Sequence, residues 1–146
     1  MREPDFVLEI EIAVPRARLH AFLSDLHNYV PLHPLIESIE EIARLDTLPN
    51  ARRYRVVDRI PVGPFRLRTV YVAALDPVSE DEVRGYAWQS PGIHLETVYA
   101  LTDLGESTRL EERVFVSAPP GLRGFVKRQA CSAHDSLLHD LAGLLG

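Results

Sequence analysis

Two carboxylates stand where strand alternation would point them inward. Asp58 shares its phase with Tyr54, Val56 and Ile60, and opposes Arg53, Arg55, Val57 and Arg59. Glu112 shares its phase with Leu110, Val114 and Val116, opposite Arg109, Glu111 and Arg113. Successive strand side chains point to opposite faces, so outward arginines put both acids inward. A carboxylate there is unfavourable unless it is hydrogen-bonded, paired or hydrated. Tyr71, in phase with Leu67 and Thr69, adds an apolar ring carrying a hydroxyl. An inward acid is a candidate general base and an inward phenol a candidate proton donor. Asp58, Glu112 and Tyr71 are therefore the candidate catalytic residues. Without a reaction, the same groups would orient the polar end of a bound molecule. The plainer alternative is that each acid reaches solvent near a strand end or bulge and that Tyr71 packs in the core.

Other chemistries lack the necessary spacing. The six histidines form no His-Glu-x-x-His or clustered Cys/His pattern, so no metal and no cofactor are expected. Ser132, His134 and Asp135 are neighbours in sequence but do not converge as a triad on a helix. His139 follows Asp135 by four residues, the spacing of a helical surface pair. Cys131 is the single cysteine, which excludes an intrachain disulfide, and it reads as a half-buried helix thiol. Arg52, Arg53, Arg55, Arg59, Arg66 and Arg68 crowd one hairpin, read as a solvated face neutralised from neighbouring strands. A docking role for that face is the rival reading. The net charge of −5 and the scarcity of aromatics among the arginines argue against nucleic acid as a partner. No apolar run approaches the roughly 18 residues of a membrane span. The N-terminal residues lack a signal layout, which predicts a cytoplasmic protein.

The elements that must hold these groups follow from periodicity. Phe6, Leu8, Ile10, Ile12 and Val14 alternate as a half-buried first strand. Pro15 ends it, and Leu19, Phe22, Leu23 and Leu26 give a short helical stripe. Asn28 to Pro34 holds two prolines and predicts at most one further turn. Strands follow from Leu35, Arg53, Phe65, Glu82, Ile93 and Thr108, with Pro61-Val62-Gly63-Pro64 as a hairpin turn. Bulk places Tyr86 and Trp88 inward on the fourth of these, so Trp88 is assigned to the inner wall. Leu95, Thr97, Tyr99 and Leu101 are taken as inward on the fifth.

From Pro119-Pro120-Gly121 to Gly146 one long helix is predicted. Leu122, Phe125, Val126, Ala130, Ala133, Leu137, Leu141 and Leu144 fall at spacings of three and four. Gln129 lies in that stripe between Phe125 and Ala133. Small residues there would leave space under the sheet, whereas a core built only for stability would fill it. The order is strand, helix, helical turn, six strands, long helix. It predicts an α+β domain over 1–146, an antiparallel meander whose first strand pairs with its last and curls around the final helix.

This order resembles the helix-grip superfamily. That superfamily includes START lipid-transfer domains, the birch-pollen allergen family and the polyketide cyclase/dehydrase-like proteins often called SRPBCC. The resemblance is carried by Ile12-Ala13-Val14-Pro15 running into Leu19 to Leu26, and by Asp25-Leu26-His27-Asn28-Tyr29. Pro34-Leu35-Ile36-Glu37-Ser38-Ile39-Glu40 and the Pro120-Gly121-Leu122 helix start complete it. It implies a curved seven-stranded antiparallel sheet wrapped around the C-terminal helix, with two short helices after the first strand. It also implies a cavity for a lipid, polyketide or quinone-like ligand, with His33 near its entrance.

The reading is thus a domain that binds or carries a small hydrophobic or amphiphilic molecule. The ligand would meet Tyr54, Val56 and Asp58 on one strand and Leu67, Thr69 and Tyr71 on the next. Trp88, then Leu95, Thr97 and Tyr99, then Glu112, would continue the wall, and Phe125, Gln129 and Ala133 would form the roof. The alternative is a polyketide cyclase or dehydratase using the pocket carboxylates and Tyr71.

Overall fold

The computed structural model describes residues 2–145. The chain runs β1 (Phe6–Ile12), α1 (Arg16–Leu23), a 3-10 helix (Leu26–Leu32), β2 (Ile36–Ile42), β3 (Arg52–Val62) and β4 (Phe65–Ser79). It continues with β5 (Glu82–Gln89), β6 (Ile93–Asp103), β7 (Thr108–Ser117) and α2 (Arg123–Leu145). The seven strands form one sheet in the order β1-β7-β6-β5-β4-β3-β2, and every pair is antiparallel. The first strand pairs with the last, as the alternation predicts. Gly146, the expected last residue of α2, lies outside the described residues.

Local chemistry explains the breaks. Pro15, at φ −61° and ψ 149°, leaves the strand conformation and leads into α1. Asp25 caps the 3-10 helix by accepting the His27 N–H at 3.0 Å. Gly63 takes a φ of 57° in the β3–β4 turn, a conformation other residues rarely adopt. The Pro119 carbonyl accepts from the Leu122 and Arg123 N–H groups and starts the turn into α2.

One end of the concave face is solid. Ile12, Leu19, Leu23, Leu26, Tyr29, Tyr54, Leu110, Leu138 and Leu141 pack there in one buried cluster. α2 rests on β1, β7 and the 3-10 helix. Its N-terminus is tied down by Asp5, which accepts the Val116 N–H at 2.7 Å and pairs with Arg2 at 3.0 Å and with Arg123.

Two expectations about facing need correction. Trp88 pairs with His94 and Val72, while the inward Leu95, Thr97 and Tyr99 pair with Ala87, Gly85 and Val83. Tyr86 and Trp88 therefore stand on the outer face, in a stack with His94. Small residues point inward because neighbours fill the space above them. A Cβ on Gly85 would lie 3.5 Å from the Tyr99 ring and 3.6 Å from Leu75. The second correction concerns α2, whose packed line is Ala130, His134, Leu138 and Leu141, with Ala130, Leu138 and Leu141 buried. Phe125, Gln129 and Ala133 lie on a different flank of the helix and are exposed.

Candidate functional site

The concave face presents polar groups at two places. The first lies on β3 and β4, where Asp58 pairs with Thr69 and Ile60 with Leu67. Asp58 is 7% exposed. Its Oδ2 lies 4.0 Å from His33 Nε2 at the end of the 3-10 helix, while its Oδ1 is buried without a partner. Burial pushes the Asp58 carboxyl above its ordinary value, and the nearby His33 offsets only part of that. Burial, and then the Asp58 charge, holds the Tyr71 phenol far above its usual range. Tyr71 can thus act only as a neutral hydroxyl. An acid that takes up a proton easily, an imidazole and a neutral phenol form an acid–base set.

Around this place the face is uncovered. Phe65 is 75% and Leu67 55% exposed, although Leu67 shares the face of Asp58 and Tyr71. On α2, Leu122 and Phe125 are exposed as well. Phe65 and Leu67 at this end of the face are thus open to solvent and not roofed by α2. The reason is the placing of α2, which packs over β1 and β7. Two surface depressions elsewhere have volumes of about 360 Å³, lined by Trp88, Gln89, Ser90, Gly92, Ile93 and His94, and about 300 Å³, lined by Pro34 to Glu37, Arg59, Pro61 and Arg66. Neither is lined by α2.

The second polar place lies deeper. Glu112 is fully buried opposite Tyr99 and Leu8. Its Oε1 is bonded to His134 Nδ1 on α2, and its Oε2 has no partner. Tyr29 donates to the Leu23 carbonyl at 2.8 Å beside it.

Of the residues chosen from sequence, Tyr54, Val56, Thr97, Tyr99 and Glu112 lie buried on the concave face with Asp58. Thr69, Tyr71 and Leu95 share that face and are half-buried. Tyr54 extends its hydroxyl to Asp25 at 3.4 Å, which ties β3 to the 3-10 helix. Trp88 is on the other face, and Phe125, Gln129 and Ala133 lie on the exposed flank of α2. Sequence reasoning missed His134. Its signal was the spacing of four from Ala130 and seven to Leu141, which puts it on the packed line. The arginine hairpin is partly neutralised by β2, through Arg59–Glu37 at 2.6 Å and Arg52–Glu41 at 3.1 Å. Among the described residues no group of three or more His, Cys, Asp or Glu could hold a metal ion, and no helix is long and apolar enough to cross a membrane.

A curved antiparallel sheet gripping a C-terminal helix, with short helices after β1, is the helix-grip fold of the START-like and polyketide cyclase-like proteins. No family model matches the sequence, and no curated protein does. Among solved structures, the chain is similar to a START superfamily protein from Mycobacterium smegmatis at 20% identity. The match covers 96% of this chain and 95% of that one, with a TM-score of 0.73. It is also similar to the di-domain ARO/CYC StfQ of the steffimycin biosynthetic pathway, at 12% identity and a TM-score of 0.74. That match covers 96% of this chain and 49% of StfQ. A third likeness is to the Zhui aromatase/cyclase from Streptomyces, at 14% identity, 92% and 91% coverage and a TM-score of 0.57. At these identities the likeness defines the fold.

Proposed function

We propose that this chain binds a small amphiphilic molecule in the cleft between α2 and the concave face. Its apolar body would lie on Leu67, Thr69 and Tyr71, and a polar end would meet Asp58 and His33. One observation carries the reading: Asp58 Oδ1 is buried on that face without a hydrogen-bond partner. Buried polar atoms are nearly always satisfied, and a ligand hydroxyl or amide N–H would satisfy this one once the Asp58 side chain turns toward the ligand. The uncovered Phe65 and Leu67 support it, because large apolar side chains left in water mark binding surfaces. Covering them would contribute roughly 25 cal/mol per Å². Lipid-like, polyketide-like and quinone-like molecules all have this build. We take residues 1–146 as one domain, working in the cytoplasm.

The raised carboxyl of Asp58 favours a second reading as an enzyme. Asp58 would be the base and Tyr71 the hydrogen-bond donor in cyclisation or dehydration of a polyketide-like substrate. The naming of StfQ and Zhui as aromatase/cyclases supports this by analogy of fold. Native mass spectrometry of protein purified from its own host tests the binding reading. A co-purifying small molecule, lost in Leu67→Glu, is the expected result, and repeated recovery of bare protein counts against it. With that molecule in hand, Asp58→Asn separates the two readings: binding kept with turnover lost makes the protein an enzyme.

A further inference from the structure

β3 and β4 outrun their neighbours in the sheet. β2 follows β3 only to the Ile36–Asp58 pair, with one more bond from the Arg59 N–H to the Leu35 carbonyl. β5 follows β4 only to the Trp88–Val72 pair. β3 and β4 continue together to the Val62–Phe65 pair, about 13 Å past Asp58. This end of the hairpin is a two-stranded ribbon, which has little stability of its own in water. Its two faces differ. Ile60, Val62, Phe65 and Leu67 share one face, with Val62 53%, Phe65 75% and Leu67 55% exposed. Arg59, Arg66 and Arg68 lie on the other. From Ile60 to Phe65 the chain carries no charge, and every residue from Pro61 to Arg68 is exposed. Glu37 engages Arg59 at 2.6 Å, while Arg66 and Arg68 form no ion pair among the described residues. Arg59, Pro61 and Arg66 also line the depression of about 300 Å³ beside the Pro34 to Glu37 segment. A bare apolar tip is thus ringed by arginines. A ligand on Leu67, Thr69 and Tyr71 ends short of Val62 and covers at most one side of Phe65.

We propose that the β3–β4 tip is a membrane-docking arm, which inserts Val62 and Phe65 into an anionic phospholipid surface and sets Arg66 and Arg68 against its phosphates. The inference goes beyond the cleft reading and does not depend on it. A folded protein partner would need a pocket shaped to the projecting tip. A fluid bilayer accepts such a tip without one, because burying apolar area in the acyl boundary is favourable wherever the tip enters. The arginines reach the phosphates along their apolar stems. Anionic lipid attracts them, and the net charge of −5 turns the remainder of the chain away from the same surface. The depression at Arg59 and Arg66 has room for one headgroup phosphate. Insertion and attraction act together, since one weak anchor alone holds only marginally.

Co-sedimentation with two kinds of vesicle tests this: phosphatidylcholine alone, and phosphatidylcholine with phosphatidylglycerol in equal parts. The wild type should bind the mixed vesicles about tenfold more tightly, and added salt should erase the difference. Phe65→Ser should weaken that binding about tenfold. Arg66→Glu with Arg68→Glu should abolish the preference for the mixed vesicles. This double variant should keep the wild-type melting temperature and its affinity for 2-naphthol, a small amphiphilic probe of the cleft. The wild type gives a readout that needs no variant. In bicelles of the mixed lipids, nitroxide-labelled acyl chains should broaden the Val62 and Phe65 signals and spare Trp88. Equal binding to both vesicles, binding to neither, full binding by Phe65→Ser, or unbroadened Val62 and Phe65 signals overturns the inference. A dimer in sedimentation velocity that Phe65→Ser abolishes, without vesicle binding, overturns it in favour of a second copy. Failure to bind 2-naphthol overturns the cleft reading alone.

Discussion

Glu112 of β7 and His134 of α2, 22 residues apart, meet across the sheet–helix interface with the carboxylate fully enclosed. A second carboxylate–imidazole pair, Asp58 with His33, lies on the same face of β3. From β3 to β7 is four strand spacings, or roughly 19 Å along the sheet. Between the pairs the face is mostly apolar and aromatic and is packed into the core by Tyr54, Val56, Leu75 and Tyr99.

Removing one member of the inner pair should cost stability. Glu112→Ala strands His134 and opens a void, and a loss of about 3 kcal/mol is expected in urea unfolding. Glu112→Gln keeps an acceptor for Nδ1–H and should cost less than half of that.

The outer pair behaves oppositely. Burial raises the Asp58 carboxyl in the folded state, with His33 offsetting part of the rise. The fold then holds this proton more tightly than the unfolded chain does. Its contribution to stability therefore falls as pH rises from the unfolded value of about 3.9 through the higher folded one. Asp58→Asn removes that cost. It should stabilise by about 1 kcal/mol at pH 7 and by almost nothing near pH 3, as read by thermal melts.

Asp5 has the other sign. Burial alone would raise its carboxyl, but the Val116 N–H bond, Arg123, Arg2 and Lys127 together hold it below the usual range. Its stabilisation is present above about pH 3.9 and disappears as pH falls through the lower folded value. Asp5→Ala should cost about 2 kcal/mol at pH 7. The gap between variant and wild type should close in acid, and calorimetric melts across pH would show it.

The two faces of the sheet should separate in binding. Leu67→Glu puts a charge on the uncovered concave face and should weaken 2-naphthol about tenfold. Trp88→Ala acts on the outer face and should leave that affinity within about twofold. Fluorescence titration of the two variants checks both.

Strand phases were legible on β3, β4 and β7 because most of their arginines share one phase and most of their large apolar residues the other, a purely local pattern. The phase of β5 was not. There the inward residues are small because Tyr99 and Leu75 occupy the space over Gly85, which only the neighbouring strands reveal. The phase of α2 was misread for a related reason. Its packed line runs through a histidine, and His134 looks like a surface residue until Glu112 is placed opposite it. Both acids were found from their phase alone. Their imidazole partners come from other elements, at distances that no spacing in the chain encodes.

Intermolecular NOEs from bound 2-naphthol to assigned side chains test the cleft most directly. Contacts to Leu67 and Tyr71, with none to Trp88, are the result this account requires. Contacts confined to Trp88 and Val72 on the outer face, with Leu67 silent, would contradict it.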